Sequence, residues 1–163
     1  MEKILVSACL VGERVRYNGI VKNCESHVLK SWNRQGWVVA ICPEVAGGLP
    51  VPRPSSEISG GDGNQVLNGH KKITNIKGQD VTQYFLDGAQ KALELATVLG
   101  IRLAILKEGS PSCGSNYIYD GSFSGIKTSG KGVTAALLEG NGIRVFSEQD
   151  LFKVSNYLKT LKF

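Results

Sequence analysis

The sequence predicts an α/β, Rossmann-like fold in which a mostly parallel sheet is flanked by helices. Three observations carry that expectation. Short, continuously apolar runs bounded by turn residues recur at 3–8, 36–41 and 101–106, as strands buried on both faces require. Segments with helical apolar spacing lie between and after them. Strand therefore alternates with helix, which implies right-handed crossovers and parallel pairing.

The first run, Lys3-Ile-Leu-Val-Ser-Ala8, is joined to the second, Gly36-Trp-Val-Val-Ala-Ile41, by a predicted helix over 26–34. A longer helix over 80–99 takes Asp80 as its N-cap, sets Val81, Tyr84, Phe85, Ala89, Ala92, Leu93, Ala96 and Leu99 on one stripe, and closes at Gly100. The third strand is Ile101-Arg-Leu-Ala-Ile-Leu106. A helix over 132–138 precedes a weaker fourth strand, Ile143-Arg-Val-Phe146. Ser147 then caps a terminal helix over 148–161 that packs through Val154, Leu158 and Leu161.

Residues 43–79 break this rhythm. Asn68-Gly69, flanked by Gln65-Val-Leu67 and Lys71-Lys-Ile-Thr74, predicts a β-hairpin insertion around residues 64–76. Asp120-Gly121 after Asn116-Tyr-Ile-Tyr119 predicts a second turn. With no internal repeat or composition break, residues 1–163 read as one domain.

The 163 residues, 42% hydrophobic and 20% charged, suffice for a core without staples. A net charge of +5 comes from scattered lysines and arginines, with only short clusters such as His70-Lys71-Lys72. That distribution argues against nucleic acid and slightly favours an anionic or polar small partner. No apolar stretch reaches the ~18 residues of a membrane span. Val6-Ser-Ala-Cys9 has the look of a lipoprotein signal, but the apolar run before it is far shorter than the roughly 7–15 residues an export signal needs. The expectation is a cytoplasmic protein whose four cysteines are reduced thiols, metal ligands or catalysts rather than disulfides.

Cys9 follows the first strand, Cys42 follows the second directly, and Cys113 lies seven residues beyond Leu106. Open α/β sheets bind ligands outside the carboxyl ends of their strands, so parallel neighbouring strands gather these thiols at one edge. A lone cysteine is often a small buried hydrophobe; the joint placement points instead to a soft-metal site. A closed zinc site needs a fourth ligand, for which Cys24, His27 and His70 are candidates, none in a C-x-x-C pairing. An iron–sulfur cubane held by three thiolates leaves one iron open to a soft atom.

Two glycine-rich stretches carry less. Gly125-Ile-Lys-Thr-Ser-Gly-Lys131-Gly132 is one residue short of a P-loop and has no clear strand before it, which leaves at most a helix N-terminus for an anion. Gly60-Gly-Asp-Gly63 lacks the acidic ligands of a calcium loop and reads as a turn.

Five blocks in order, SACLVGERVRYNG (7–19), CPEVAGGLPVPRPSSEI (42–58), GQDVTQYFLDGA (78–89), LKEGSPSCGSNYIYDGSFSG (106–125) and GKGVTAALLEGNGIRVFSE (130–148), give the chain a specific resemblance to the bacterial 2-thiouracil desulfurase family. The resemblance implies a [4Fe-4S] enzyme that removes sulfur from a thiolated pyrimidine. It places the cluster ligands on Cys9, Cys42 and Cys113, leaves one iron open, and puts Cys24 outside the motifs. It further implies that the open iron takes the thiocarbonyl sulfur while water adds to the C–S carbon, giving uracil and hydrosulfide without net redox change.

Glu44 is then the expected general acid/base and Ser110 a proton relay or donor to substrate. Their structural alternatives are the opening of a helical turn at Pro43-Glu44 and a turn residue ahead of Pro111. Arg53, between two prolines, is expected to meet an anionic substrate or a carboxylate such as Glu57. Ser112 and Asn116 are further substrate-binding candidates; Ser7 is a substitute for Ser110, and Lys107 supports the loop. A second reading is a non-catalytic metal or small-ligand sensing domain built on the three cysteines. A third keeps the cluster and delivers sulfur in the opposite direction.

Overall fold

The computed structural model describes residues 2–20 and 26–161. In chain order the elements are β1 (Ile4–Ser7), α1 (His27–Arg34), β2 (Val38–Ile41), α2 (Pro43–Ala46), β3 (Ser56–Ile58), α3 (Gly63–Leu67), β4 (Ile73–Asn75), α4 (Thr82–Val98), β5 (Leu103–Leu106), β6 (Tyr117–Tyr119), β7 (Lys127–Ser129), α5 (Val133–Gly140), β8 (Arg144–Ser147) and α6 (Leu151–Thr160). Short 3-10 turns at Ala8–Val11 and Glu148–Asp150 follow β1 and β8.

The four predicted strands form one all-parallel sheet in the order β2-β1-β5-β8. Its register pairs Ser7 with Ile41 and Val6 with Ile105, so β1, β2 and β5 end almost level. Period-two alternation then divides the core between two faces. Leu5, Ala104, Leu106 and Val145 pack with Ala92 and Ala96 of α4 and Ala135 and Leu138 of α5. Ile4, Val6, Leu103, Ile105 and Phe146 pack on the other face with Leu29 and Trp32 of α1 and Val154 of α6. The apolar runs lack alternation because both faces are covered.

Helix boundaries follow local chemistry. The Ser26 hydroxyl accepts the Leu29 N–H and starts α1 where expected. Asp80 holds Thr82 through both its N–H and its hydroxyl, yet the N-cap of α4 is Val81, one residue later than predicted. Ser147 accepts the Gln149 N–H and starts a 3-10 turn before α6 proper.

The hairpin at 64–76 is not formed. Gly63–Leu67 is a helix, because Asp62 and Gln65 make a reciprocal capping box: the Asp62 side chain accepts the Gln65 N–H and the Gln65 side chain accepts the Asp62 N–H. The type I′ turn that Asn68-Gly69 suggested needs positive φ at both residues, and Asn68 sits at φ −80 as the helix C-cap. Asp62, within the stretch read as a plain turn, is thus a helix start. Antiparallel pairing does occur in the insertion, between β3 and β4. The second turn is present as the connection between antiparallel β6 and β7. Ile58, Val66, Ile73, Phe85 and Ile118 bury together and dock this insertion on α4 and α5.

The contact between α2 and α4 positions the site. A Cβ at Gly88 would lie 1.9 Å from the Pro43 carbonyl oxygen, and one at Gly47 would lie 1.9 Å from the Tyr84 carbonyl oxygen. Only backbone could yield. Helix propensity alone favours alanine at Gly88 by about 1 kcal/mol; overpacking opposes it by roughly 1–3 kcal/mol. We expect Gly88→Ala to lower the denaturation midpoint and to shift the segment carrying Cys42 and Glu44. A raised midpoint would refute the tight crossing.

Candidate active site

β1 is the switch point of the sheet: the chain leaves it for β2 on one side and returns to β5 on the other. Crevices form at the carboxyl ends of strands at such points. Here a cavity of about 630 Å³ opens, lined by Cys9, Cys42 and Cys113 together with Glu44, Arg53 and Ser110. Cys9 lies in the 3-10 turn after β1, Cys42 directly follows β2 as the N-cap of α2, and Cys113 lies in the loop after β5.

All three thiols are free, and each is held toward its neutral form. Burial pushes Cys9 up to about 11, helped by the charge of Cys42 and opposed by Lys107 and Arg16. Burial likewise raises Cys42, with Glu44 adding to it, and raises Cys113 against a hydrogen bond with Ser7. Such thiols are poor nucleophiles at neutral pH. They become thiolates when a metal supplies the positive charge that burial withholds.

Among the described residues, no three His, Cys, Asp or Glu side chains form a group that could hold a metal ion. The three thiols share one cavity, and the charges of Cys42 and Cys9 act on Cys113. Three thiols are one ligand short of a closed zinc site, whereas soft sulfur donors on three separate wall segments fit a polynuclear iron–sulfur cluster, which takes its thiolates on different irons. Cys24 lies outside the described residues.

Beside the thiols runs a polar chain. The Ser110 hydroxyl donates to Glu44 Oε2 at 3.2 Å and accepts the backbone N–H groups of Ser112 at 3.0 Å and Cys113 at 3.1 Å. One hydroxyl thus shapes the turn bearing Cys113 and aims its proton at Glu44. Arg53 Nε donates to Glu44 Oε1 at 3.0 Å, with its side chain 4% exposed. Its other nitrogens donate to the carbonyls of Pro50 and Val15. Arg53 therefore meets Glu44, not Glu57, and each of its three nitrogens donates to the protein while the side chain lines the cavity. The helical turn expected at Pro43-Glu44 is present too: Pro43 is the first residue of α2, so structure and chemistry share these positions.

Two other candidates fall outside the cavity. Ser112 is fully buried and exchanges a hydrogen bond with Thr134 Oγ1 at 2.8 Å. Asn116 is exposed and donates its amide to Glu108; it borders a separate cavity of about 610 Å³ along β8. Lys107 lines the thiol cavity and pairs with Glu148, and Ser7 accepts the Lys107 N–H.

Sequence reasoning missed Glu108. Only 3% exposed, it accepts the N–H groups of Ser115, Asn116 and Tyr117, the Ser115 hydroxyl and the Asn116 amide. Burial works against its charge, but these donors outweigh it and hold the carboxyl below its usual range. A glutamate just before a Gly-Ser-Pro turn is the signal that was available. Because the folded-state value is depressed, the stability Glu108 contributes is present at neutral pH and lost as pH falls below the ordinary carboxylate range of about 4.3. Glu108→Gln should cost about 2 kcal/mol at pH 7 and narrow the gap to wild type as the solution is acidified. A pH-independent difference in denaturation midpoints would exclude this account.

Fold and site together define a class: a Rossmann-like domain with a thiol-lined ligand cavity at its switch point. A family model described as 2-thiouracil desulfurase matches residues 4–150, and the chain belongs to that family. It is 48% identical over 148 residues to the uncharacterized protein YbbK of Bacillus subtilis (strain 168), covering 91% of this chain and 97% of the relative. Among solved structures it is similar to the [4Fe-4S]-dependent thiouracil desulfidase TudS, with a TM-score of 0.91 and 46% identity, over 99% of this chain and 100% of that one. No helix among the described residues is long and apolar enough to cross a membrane.

Proposed function

We propose that this protein is a cytoplasmic [4Fe-4S]-dependent desulfurase that hydrolyses the C–S bond of a thiolated pyrimidine of the 2-thiouracil type. Cys9, Cys42 and Cys113 hold the cluster. The observation that carries this reading is the meeting of three thiols from three strand ends with the Glu44–Ser110 pair in one cavity. When bound, the cluster supplies an iron without a protein ligand, a Lewis acid suited to a soft sulfur atom.

The chain's own residues then manage protons. Glu44 Oε2 takes a proton from the water that adds at the thiocarbonyl carbon and returns it as the sulfur leaves. Ser110 relays that proton, its oxygen held still by two backbone donors. Arg53 positions Glu44 by fixing Oε1, which leaves Oε2 turned to Ser110. Water and the thiocarbonyl become a carbonyl and hydrogen sulfide, released as hydrosulfide and a proton, with no change of oxidation state.

Anaerobic reconstitution followed by incubation with 2-thiouracil tests this. Equal yields of uracil and hydrosulfide are expected. A fully loaded protein that binds the base without releasing product would make it the sensing domain instead.

A further inference from the structure

Glu57, on β3, lines the same cavity as the three thiols. Its Oε1 accepts the backbone N–H groups of Gly121 at 3.0 Å and Phe123 at 3.1 Å, clipping the 120–125 turn to the cavity wall. That turn needs holding. Phe123 has φ 57, a region uncommon for a bulky side chain, and a Cβ at Gly121 would lie 2.6 Å from the Ile58 carbonyl oxygen.

The clip uses one oxygen. Oε2 has no hydrogen-bond or ion-pair partner among the described residues, and Arg53 pairs with Glu44 instead. A glutamine would hold the turn equally well through its single oxygen. What glutamate adds is a second acceptor, directed to nothing in the protein and set on a cavity wall. Its complement in a ligand is an N–H donor.

We infer that Glu57 Oε2 accepts the ring N3–H of the thiolated pyrimidine, and so selects uracil-type bases over cytosine-type bases, whose N3 is a bare acceptor. The inference rests on the activity proposed above. A site built to accept a hydrogen bond discriminates against a ligand that offers a lone pair in its place, because both acceptors then lose water without gaining a partner.

Glu57→Gln keeps the oxygen that clips the turn and replaces the free oxygen by an amide donor. The cluster-loaded wild type and variant are assayed on 2-thiouracil and 2-thiocytosine, and uracil and cytosine binding is measured by calorimetry. We expect the wild-type preference for 2-thiouracil to fall about ten- to hundred-fold in the variant, through KM rather than kcat. Uracil binding should weaken in parallel, with iron content and melting temperature unchanged. An unchanged preference, or one lost together with the melting temperature, overturns the Glu57 assignment while leaving the activity standing. Absence of turnover of either base by the loaded wild type overturns the activity and this assignment with it.

Discussion

Alanine at Cys9, Cys42 or Cys113 should leave the chain folded and unable to retain a [4Fe-4S] cluster. Each thiol lies on a different segment of the cavity wall, so none can stand in for another. Losing one sulfur costs on the order of 1 kcal/mol of packing or less, within what a domain of this size tolerates. Losing one iron–thiolate bond of three leaves a cluster no longer fixed to the protein. Iron and sulfide counts after anaerobic reconstitution should fall from about four each per chain to near zero, and turnover with them. Cys24→Ala, outside the five sequence blocks, should keep both. A stable four-iron cluster in Cys113→Ala would remove the ligand assignment.

Glu44→Gln should separate metal binding from chemistry. The amide oxygen still accepts from Arg53 Nε, so the fold and cluster are expected to persist. The amide nitrogen, however, faces the Ser110 oxygen as a donor and takes up no proton. General acid–base groups typically contribute 10²–10⁴-fold, and a kcat loss of about that size with full iron content is the expected result. Activity within a few-fold of wild type would move the proton work elsewhere; loss of iron together with activity would make Glu44 a structural group.

Much of this was legible in the residues because it depends on local pattern. The four apolar runs, bounded by Gly and polar residues, gave the strands, and their ends gave the positions of Cys9, Cys42 and Cys113. The part that was not legible depends on pairings distant in sequence. Arg53 meets Glu44, nine residues before it, rather than Glu57, a pairing that no spacing rule reports. The error at 64–76 has another cause: two local signals competed, and the capping box of Asp62 and Gln65 outweighed the Asn-Gly dipeptide. Glu108 was passed over because a single carboxylate has no periodicity; only the fold shows how many donors converge on it.

The proposed sulfur ligands stand at positions 9, 42 and 113, and it is the pairing of β1 with both β2 and β5 that brings the strands they follow together. An emerging polypeptide thus has no local motif with which to capture iron, and the receptacle is completed only when the third of these strands docks. Cofactor loading should follow folding rather than drive it, the reverse of a zinc finger. Stripping the metal with a chelator is therefore expected to leave the circular dichroism spectrum intact, and the emptied protein ready to be filled again.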